Sequence, residues 1–164
     1  MIIEQKAGHI NNIEAAGRQV DWLELEWFEL HKRILRKHTR SGTEIVFRSL
    51  DKDPEFTDGD ILFADGDKMI VVRVLPCDAI VLKPAGMLEM ASACYEIGNK
   101  HAALFYQEEE LLVPFDIPLY RSLQSFGFNV KQEQRQLIQR LRTTVTPHNL
   151  INSNTIITTT KSVS

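Results

Sequence analysis

The sequence AIVLKPAGMLEMASACYEIGNK, residues 79–100, decides the fold class of this 164-residue chain. The apolar run at residues 79–82 predicts a strand, because Lys83-Pro84-Ala85-Gly86 interrupts it at once. From Met87 onward, apolar residues recur at spacings of three and four, which predicts an amphipathic helix that ends at Gly98-Asn99. The predicted buried face of this helix comprises Met87, Met90, Ala91, Cys94 and Gly98.

The residues that follow continue this alternation of strands and helices. Asp116 is a suitable N-cap for a second helix, which Gly127 ends. The apolar stripe predicted for the second helix comprises Leu119, Leu123 and Phe126. The predicted strands are residues 102–106, 111–115 and 128–131. The order β-α-β-β-α-β is the ferredoxin-like arrangement.

The upstream residues predict short strands joined by tight turns. Residues 21–27 alternate between apolar and polar, with Leu23, Leu25 and Trp27 on one face. Residues 34–39 and 43–47 flank a turn that contains glycine, and Asp65-Gly66 separates two further apolar runs. Strands of this length and spacing are typical of a small barrel or sandwich.

The predicted fold class is therefore α+β. We expect a small N-terminal β barrel or sandwich domain over residues 1–75, followed by a ferredoxin-like domain over residues 76–133. After residue 132 the chain is rich in Gln, Arg, Thr, Asn and Ser. Residues 134–164 are expected to form a polar C-terminal tail, in which Leu137, Ile138 and Leu141 predict a turn or two of helix.

Composition and charge exclude several classes of function. The formal net charge is -3, which disfavours a nucleic-acid binder, because such proteins need positive charge against phosphates. No apolar run approaches the ~18 residues that span a membrane, and residues 1–6 lack the pattern of a secretory signal. Cys77 and Cys94 are far apart and form no zinc-ribbon pattern. We expect a cytoplasmic protein that binds neither nucleic acid nor membrane.

The motif inventory argues against an enzyme. GxSxG, GxxxxGK[ST], HExxH and GxGxxG are all absent from the sequence. An acyl-phosphate hydrolase would need an arginine and an asparagine in a loop before a helix, and Pro84-Ala85-Gly86 offers neither. Asp58-Gly59-Asp60 lacks the spacing of a calcium loop and is better explained as a turn.

The histidines contain no local metal motif. They are His9, His31, His38, His101 and His148. None forms HxH or HxxxH, although His101 stands at a predicted boundary between a helix and a strand. Cys94 lies seven residues before His101, so it is either a soft ligand or a buried core residue, and the apolar spacing favours the core. The basic residues 31–40 form either a solvated strand face or a docking surface for an acidic partner.

Cys94-Tyr95-Glu96-Ile97-Gly98-Asn99-Lys100-His101 resembles a signature of the UreE family of urease accessory proteins. The strand over residues 20–27 and the turn Asp58-Gly59-Asp60 also resemble that family. The same is true of Lys32-Arg33-Ile34, Arg36 and Thr39. The resemblance extends from Met1 to about Lys131.

The resemblance implies a nickel metallochaperone that catalyses no reaction. It implies a homodimer in which His101 of each chain binds one shared Ni²⁺, with His148 as an additional ligand from the tail. Zn²⁺ or Cu²⁺ can bind the same imidazoles. The implied partners are the urease accessory GTPase UreG and the urease pre-activation complex. The alternative function is a peptide-binding assembly module with no role in metal delivery.

Overall fold

The computed structural model describes residues 1–12, 17–50 and 54–141. Within these ranges the protein is α+β, consisting mostly of sheets with two α-helices, as the sequence predicts. His148 and most of the expected tail lie outside the described residues.

The N-terminal half contains seven strands in its described residues. They are β1 (Ile2–Ile3), β2 (Gly8–His9), β3 (Gln19–Leu25), β4 (Ile34–His38), β5 (Glu44–Arg48), β6 (Asp60–Ala64) and β7 (Lys68–Val74). One sheet has the order β1-β5-β4 and the other β2-β6-β7-β3. The pairs β1–β5 and β3–β7 are parallel, and the remaining pairs are antiparallel.

Both N-terminal sheets contribute to one hydrophobic core. Leu35, Ile45 and Phe47 from the first sheet pack in the same cluster as Leu23 and Val72 from the second. The described strands do not close into a barrel. Of the two expected forms, the arrangement is therefore a pair of sheets that share a core.

The strand predicted over residues 21–27 ends two residues earlier in the structure than the sequence predicts. Strand β3 ends at Leu25, and Trp27 begins a short 3-10 turn, Trp27–Glu29. The Glu29 side chain accepts a hydrogen bond from the Glu26 N–H at 2.9 Å, which fixes that turn. Trp27 consequently leaves the strand face and packs edge-on against Phe105, with ring centroids 5.9 Å apart.

The C-terminal half alternates strands and helices. Its elements are β8 (Cys77–Leu82), α1 (Met87–Asn99), β9 (Phe105–Gln107), β10 (Glu110–Pro114), α2 (Ile117–Ser125) and β11 (Val130–Arg135). The sheet order is β11-β8-β10-β9, and every pair is antiparallel. Ala93 and Ile97 of α1 and Leu119 and Leu123 of α2 pack against one face of this sheet.

The predicted buried face of α1 is wrong in part. Met90 and Cys94 contact the core, but the fully buried residues of α1 are Ala93 and Ile97. Met87 is 89% exposed, and Ala91 and Gly98 are exposed as well. In the second helix, Asp116 caps the N-terminus by accepting the Leu119 N–H at 2.8 Å, as predicted. Phe126, expected in the apolar stripe, is instead 55% exposed.

The last strand was predicted to end at residue 131, but the residues after it still pack against the C-terminal sheet. Strand β11 continues to Arg135, and Leu137 is completely buried against Phe105 and Leu112. The helical turn predicted near Leu137 does not form. Instead, the Leu141 N–H donates to the Leu104 carbonyl at 2.8 Å, so residues 139–141 run beside β9.

Candidate metal centre

His101 lies immediately after the C-terminus of α1. The Lys100 N–H donates to the Ile97 carbonyl at 3.1 Å, and the His101 N–H donates to the Gly98 carbonyl at 2.9 Å. These bonds close the last turn of the helix. His101 has φ of +53°, the left-handed conformation that glycine usually supplies at this position.

The left-handed conformation of His101 carries an energetic penalty. A non-glycine residue held there costs roughly 1–3 kcal/mol, and such residues cluster at functional sites. The His101 side chain is exposed, so burial of apolar surface does not compensate for that cost. Glu108 and Glu109 have a left-handed backbone as well, in the turn between β9 and β10, so the conformation supports His101 as a candidate only together with its exposed position at the end of α1.

The electrostatic setting of His101 suits a cation. The C-terminal end of a helix carries a partial negative charge from carbonyl groups that lack helical partners. A bound divalent ion near His101 would be stabilised by that charge. Lys100, the neighbouring residue, is also exposed, and its positive charge partly opposes this stabilisation.

The two cysteines favour the neutral thiol form in the metal-free protein. Burial raises the pKa of the Cys94 thiol, which packs against the helix-covered core. Burial, with added effects of the Glu26 and Asp78 charges, raises the pKa of Cys77. Because metals bind the thiolate, metal binding at either cysteine would have to displace a proton. The core location favoured for Cys94 by its spacing is confirmed.

His9, His31 and His38, the remaining described histidines, form no group of three metal-binding side chains with His101. His9 bridges a turn, with Nε2 2.9 Å from the Asp58 carbonyl and Nδ1 accepting the Asn11 N–H at 3.2 Å. His38 is exposed on β4, in the N-terminal half. Within residues 1–12, 17–50 and 54–141, no three His, Cys, Asp or Glu side chains are grouped to hold a metal ion.

An exposed apolar face runs along α1 toward His101. Leu88 is 83% exposed and Tyr95 is 68% exposed. With Met87, Ala91 and Gly98, they span about 100° of the helix surface, at 100° per residue. We call these five residues the α1 face. Leu88 and Tyr95 were missed as functional candidates, although their seven-residue spacing signals a second apolar stripe.

Comparison with known proteins identifies the family. A family model described as "UreE urease accessory protein, N-terminal domain" matches residues 3–75. The protein named urease accessory protein UreE from Flavobacterium johnsoniae is 41% identical over 148 residues, which is 90% of this chain and 90% of that protein. The chain belongs to the UreE family.

Other UreE relatives agree in length as well as in sequence. The urease accessory protein UreE of Acetivibrio thermocellus is 41% identical and covers 79% of this chain and 84% of its own length. The urease accessory protein UreE of Helicobacter acinonychis is 36% identical, and the match covers 91% of this chain and 90% of that protein. UreE proteins are accessory chaperones, so the prediction that this chain is not an enzyme is confirmed by the relatives. Among the described helices, neither is long and apolar enough to cross a membrane.

Proposed function

We propose that this protein is a nickel metallochaperone that delivers Ni²⁺ for assembly of the urease active site. The observation that carries the proposal is the exposed His101, held in a strained conformation at the end of a helix whose apolar face is open. Membership of a family of urease accessory proteins supplies the context. The proposed ligands are His101 of each of two chains, with His148 of the tail as an additional ligand.

A homodimer explains how a single histidine can form a metal site. In the described part of one chain, His101 belongs to no group of three or more His, Cys, Asp or Glu side chains that could hold a metal ion. In a symmetric dimer, one residue near the two-fold axis appears twice in the same site. The α1 face leads directly to His101, so pairing of two such faces would bring both imidazoles together.

Imidazole ligands suit transport better than storage. They bind Ni²⁺, Zn²⁺ and Cu²⁺ alike, with Cu²⁺ the tightest, so selectivity must come from geometry, partners and metal supply. A site of two to four imidazoles remains open to ligand exchange, which allows release. The proposed recipients are the urease accessory GTPase UreG and the urease pre-activation complex, in the cytoplasm.

The proposed domain layout assigns the two tasks to different parts of the chain. Residues 1–75 form a β domain for partner or peptide binding, residues 76–133 a ferredoxin-like domain for metal binding and dimerisation, and residues 134–164 a tail. Two observations support this layout. The N-terminal sheets share their own core, and the C-terminal sheet has the strand order expected for a ferredoxin-like unit. Strand β11 runs two residues past the proposed boundary.

Calorimetric titration with Ni²⁺ tests the proposal. The parent chain should bind one tight ion per two chains, and His101→Ala should weaken that site by more than about 100-fold. Loss of a residue that merely orients a ligand already costs 10–100-fold, so loss of the ligand itself should exceed this. His148→Ala should weaken binding less, since His148 only adds to the His101 pair.

The control for this titration is His38→Ala. His38 is exposed on β4 and belongs to the N-terminal half, so its removal should leave nickel binding unchanged. Equal tight binding by His101→Ala and the parent would refute the nickel site at His101. The peptide-binding assembly module would then be the better description of this chain.

A further inference from the structure

The sheet β1-β5-β4 has one face in the N-terminal core and the other toward solvent. Phe47 on β5 points into the core and is buried there. Val46, its neighbour, points to the opposite face and pairs on one side with Ile2 of β1. Ile2 is 73% exposed, and Ile34, on β4, is 67% exposed. This outward face therefore presents large apolar side chains to solvent.

Two arginines are interleaved with these apolar side chains. The register of β4 and β5 places Arg36 opposite Val46. It likewise places Arg48 opposite Ile34. Facing residues on neighbouring strands are about 4.5–5.5 Å apart and diagonal neighbours about 7–8 Å apart, so these side chains form one continuous surface. We call this surface the outer patch, and it consists of Ile2, Ile34, Arg36, Val46 and Arg48.

The fold uses part of the basic stretch of the sequence for internal ion pairs. Lys37 Nζ lies 2.5 Å from Glu29 Oε2, and Lys32 Nζ lies 3.8 Å from Glu29 Oε1. Arg36 Nε donates to Glu44 Oε1 at 2.7 Å, but these two side chains are 72% and 40% exposed. An ion pair between exposed side chains contributes little and can be exchanged for another. Arg36 therefore remains available to the carboxylate of a partner.

Further cations lie on and beside the outer patch without an acidic partner. Arg48 forms no ion pair with any residue that the structure describes. The same is true of Arg33 and Arg40, which are exposed just before and just after β4. Glu4, which follows β1, lines a separate cleft beside Ser49. The outer patch is therefore positively charged, although the chain as a whole has a formal net charge of -3.

We propose that the outer patch binds an acidic amphipathic helix of a partner protein. A helix is about 10 Å across, which matches the roughly 10 Å between the first and third strands of a sheet. Its apolar stripe covers Ile2, Val46 and Ile34. Carboxylates beside that stripe bind Arg36 and Arg48. The positive charge of the outer patch selects an acidic partner over a neutral or basic one.

A synthetic peptide is the probe for this docking site. It has about 18 residues, enough to form a helix, with Leu at spacings of three and four and Glu beside the Leu stripe. The labelled peptide should bind the full metal-free chain with a dissociation constant below about 1 mM, and more weakly as salt is added. A peptide with Lys in place of each Glu should bind at least about tenfold more weakly. In NMR spectra, the acidic peptide should shift the amide signals of β1, β4 and β5.

Two matched pairs of variants test which side chains bind the peptide. Arg48→Glu and Arg121→Glu change the net charge equally at exposed positions, but Arg121 lies on α2 in the C-terminal half. Arg48→Glu should weaken peptide binding at least about tenfold, and Arg121→Glu by less than about twofold. Ile34→Ser should weaken binding at least about threefold, whereas Ile117→Ser, at another exposed position on α2, should not.

The docking site rests on the partner-binding role proposed above for the N-terminal domain, and it can fail separately from the nickel site. Arg48→Glu should bind Ni²⁺ as the parent does, because His101 follows α1 in the C-terminal half. Failure of the acidic peptide to bind would overturn the docking site and leave the nickel site standing. Equal weakening by Arg48→Glu and Arg121→Glu would also overturn it, since the peptide would then respond only to overall charge.

An anionic membrane is the other occupant that a basic and apolar surface could attract. Vesicles with equal parts of phosphatidylcholine and phosphatidylserine should not sediment with the parent chain. If they bind the parent and not Arg48→Glu, the outer patch is a membrane-binding surface, and the proposal of a partner helix is wrong.

Discussion

At the scale of single residues, His101 combines a conformational cost with a proposed role as a metal ligand. Its φ of +53° is one that glycine adopts freely and that other residues adopt at a cost of roughly 1–3 kcal/mol. The His101 side chain is exposed, so it buries no apolar surface that would offset this cost. A residue chosen for stability alone would be glycine, so histidine at this position is consistent with the ligand role proposed for its imidazole.

His101→Gly should therefore stabilise the metal-free protein while removing the nickel site. We expect the free energy of unfolding in urea to rise by about 1 kcal/mol, which is less than the full strain because glycine gains entropy in the unfolded chain. His101→Ala is the matched comparison, since it also lacks the imidazole but keeps a side chain in the left-handed region. A His101→Gly protein no more stable than His101→Ala would contradict the strain at this position.

At the scale of elements, the Asp21 carboxylate joins β3 to the turn between β4 and β5. The Ser41 N–H donates to Asp21 Oδ1 at 3.0 Å, and the Ser41 hydroxyl donates to Oδ2. Burial acts to raise the pKa of Asp21, but the hydrogen bonds from Ser41 and Thr39 and the charge of Lys68 outweigh it and hold the pKa below its ordinary value. The charged form is therefore favoured by folding.

Asp21→Asn should destabilise the protein in a way that depends on pH. A carboxyl group whose pKa is lowered by folding contributes stability above its unfolded pKa, about 3.9, and loses that contribution as the pH falls through the folded pKa. We expect a loss of about 1–3 kcal/mol at pH 7, typical of a hydrogen-bonded charge.

Urea unfolding of the parent and the variant at pH 7, 5, 4 and 3 measures this effect. The difference between them should be constant from pH 7 to 5 and should shrink at lower pH. Asp67→Asn, at an exposed turn position, is the control and should change stability little at any pH. A difference between parent and Asp21→Asn that stays the same down to pH 3 would show that the carboxylate charge is not responsible.

The elements that the sequence predicted correctly depend on local chemistry. Asp116 caps α2 because its side chain reaches an N–H three residues ahead. The predicted end of α1 at Gly98-Asn99 agrees with the observed end at Asn99, but the left-handed residue that follows the helix is His101 and neither Gly98 nor Asn99. The side of α1 that packs against the sheet was less predictable, because the helix has two adjacent apolar stripes. Spacing alone cannot tell which stripe the sheet covers, and the actual core stripe includes Ala93 and Ile97.

Pairings between distant residues were the least predictable feature. Residues 137–141 have apolar spacing that also suits a helix, but the exposed edge of β9 offers them hydrogen bonds. The same limit applies to the site. No local motif surrounds His101, so the prediction that it binds a metal came only from the family resemblance. Its left-handed backbone could be seen only in the structure.

At the scale of the whole molecule, the site proposed at His101 is incomplete in one chain. The described residues of one chain group no three metal-binding side chains at His101, and the α1 face beside it leaves Met87, Leu88 and Tyr95 largely exposed. Contiguous apolar patches on a protein surface commonly mark interaction sites. Pairing of two α1 faces would bury these side chains and bring the two His101 side chains together, so dimer formation and tight nickel binding should depend on each other.

The variant Leu88→Glu/Tyr95→Glu tests this dependence. Both side chains are exposed in the single chain, so the change should leave the fold of each protomer intact while placing like charges opposite each other in the dimer. We expect the parent to sediment as a dimer at micromolar concentration and the variant as a monomer. The variant should also lose tight Ni²⁺ binding, by more than about tenfold, although His101 is unchanged, because one imidazole cannot replace two.

Ile34→Glu is the matched control for this variant. Ile34 is 67% exposed, but it lies on β4 in the N-terminal half, so a glutamate there should alter neither the sedimentation nor the nickel affinity. If the α1 variant remained dimeric, the dimer contact would have to lie elsewhere on the molecule. If the variant became monomeric yet bound nickel as tightly as the parent, the ion would be held within one chain, and the proposal of a site shared between two copies would be wrong.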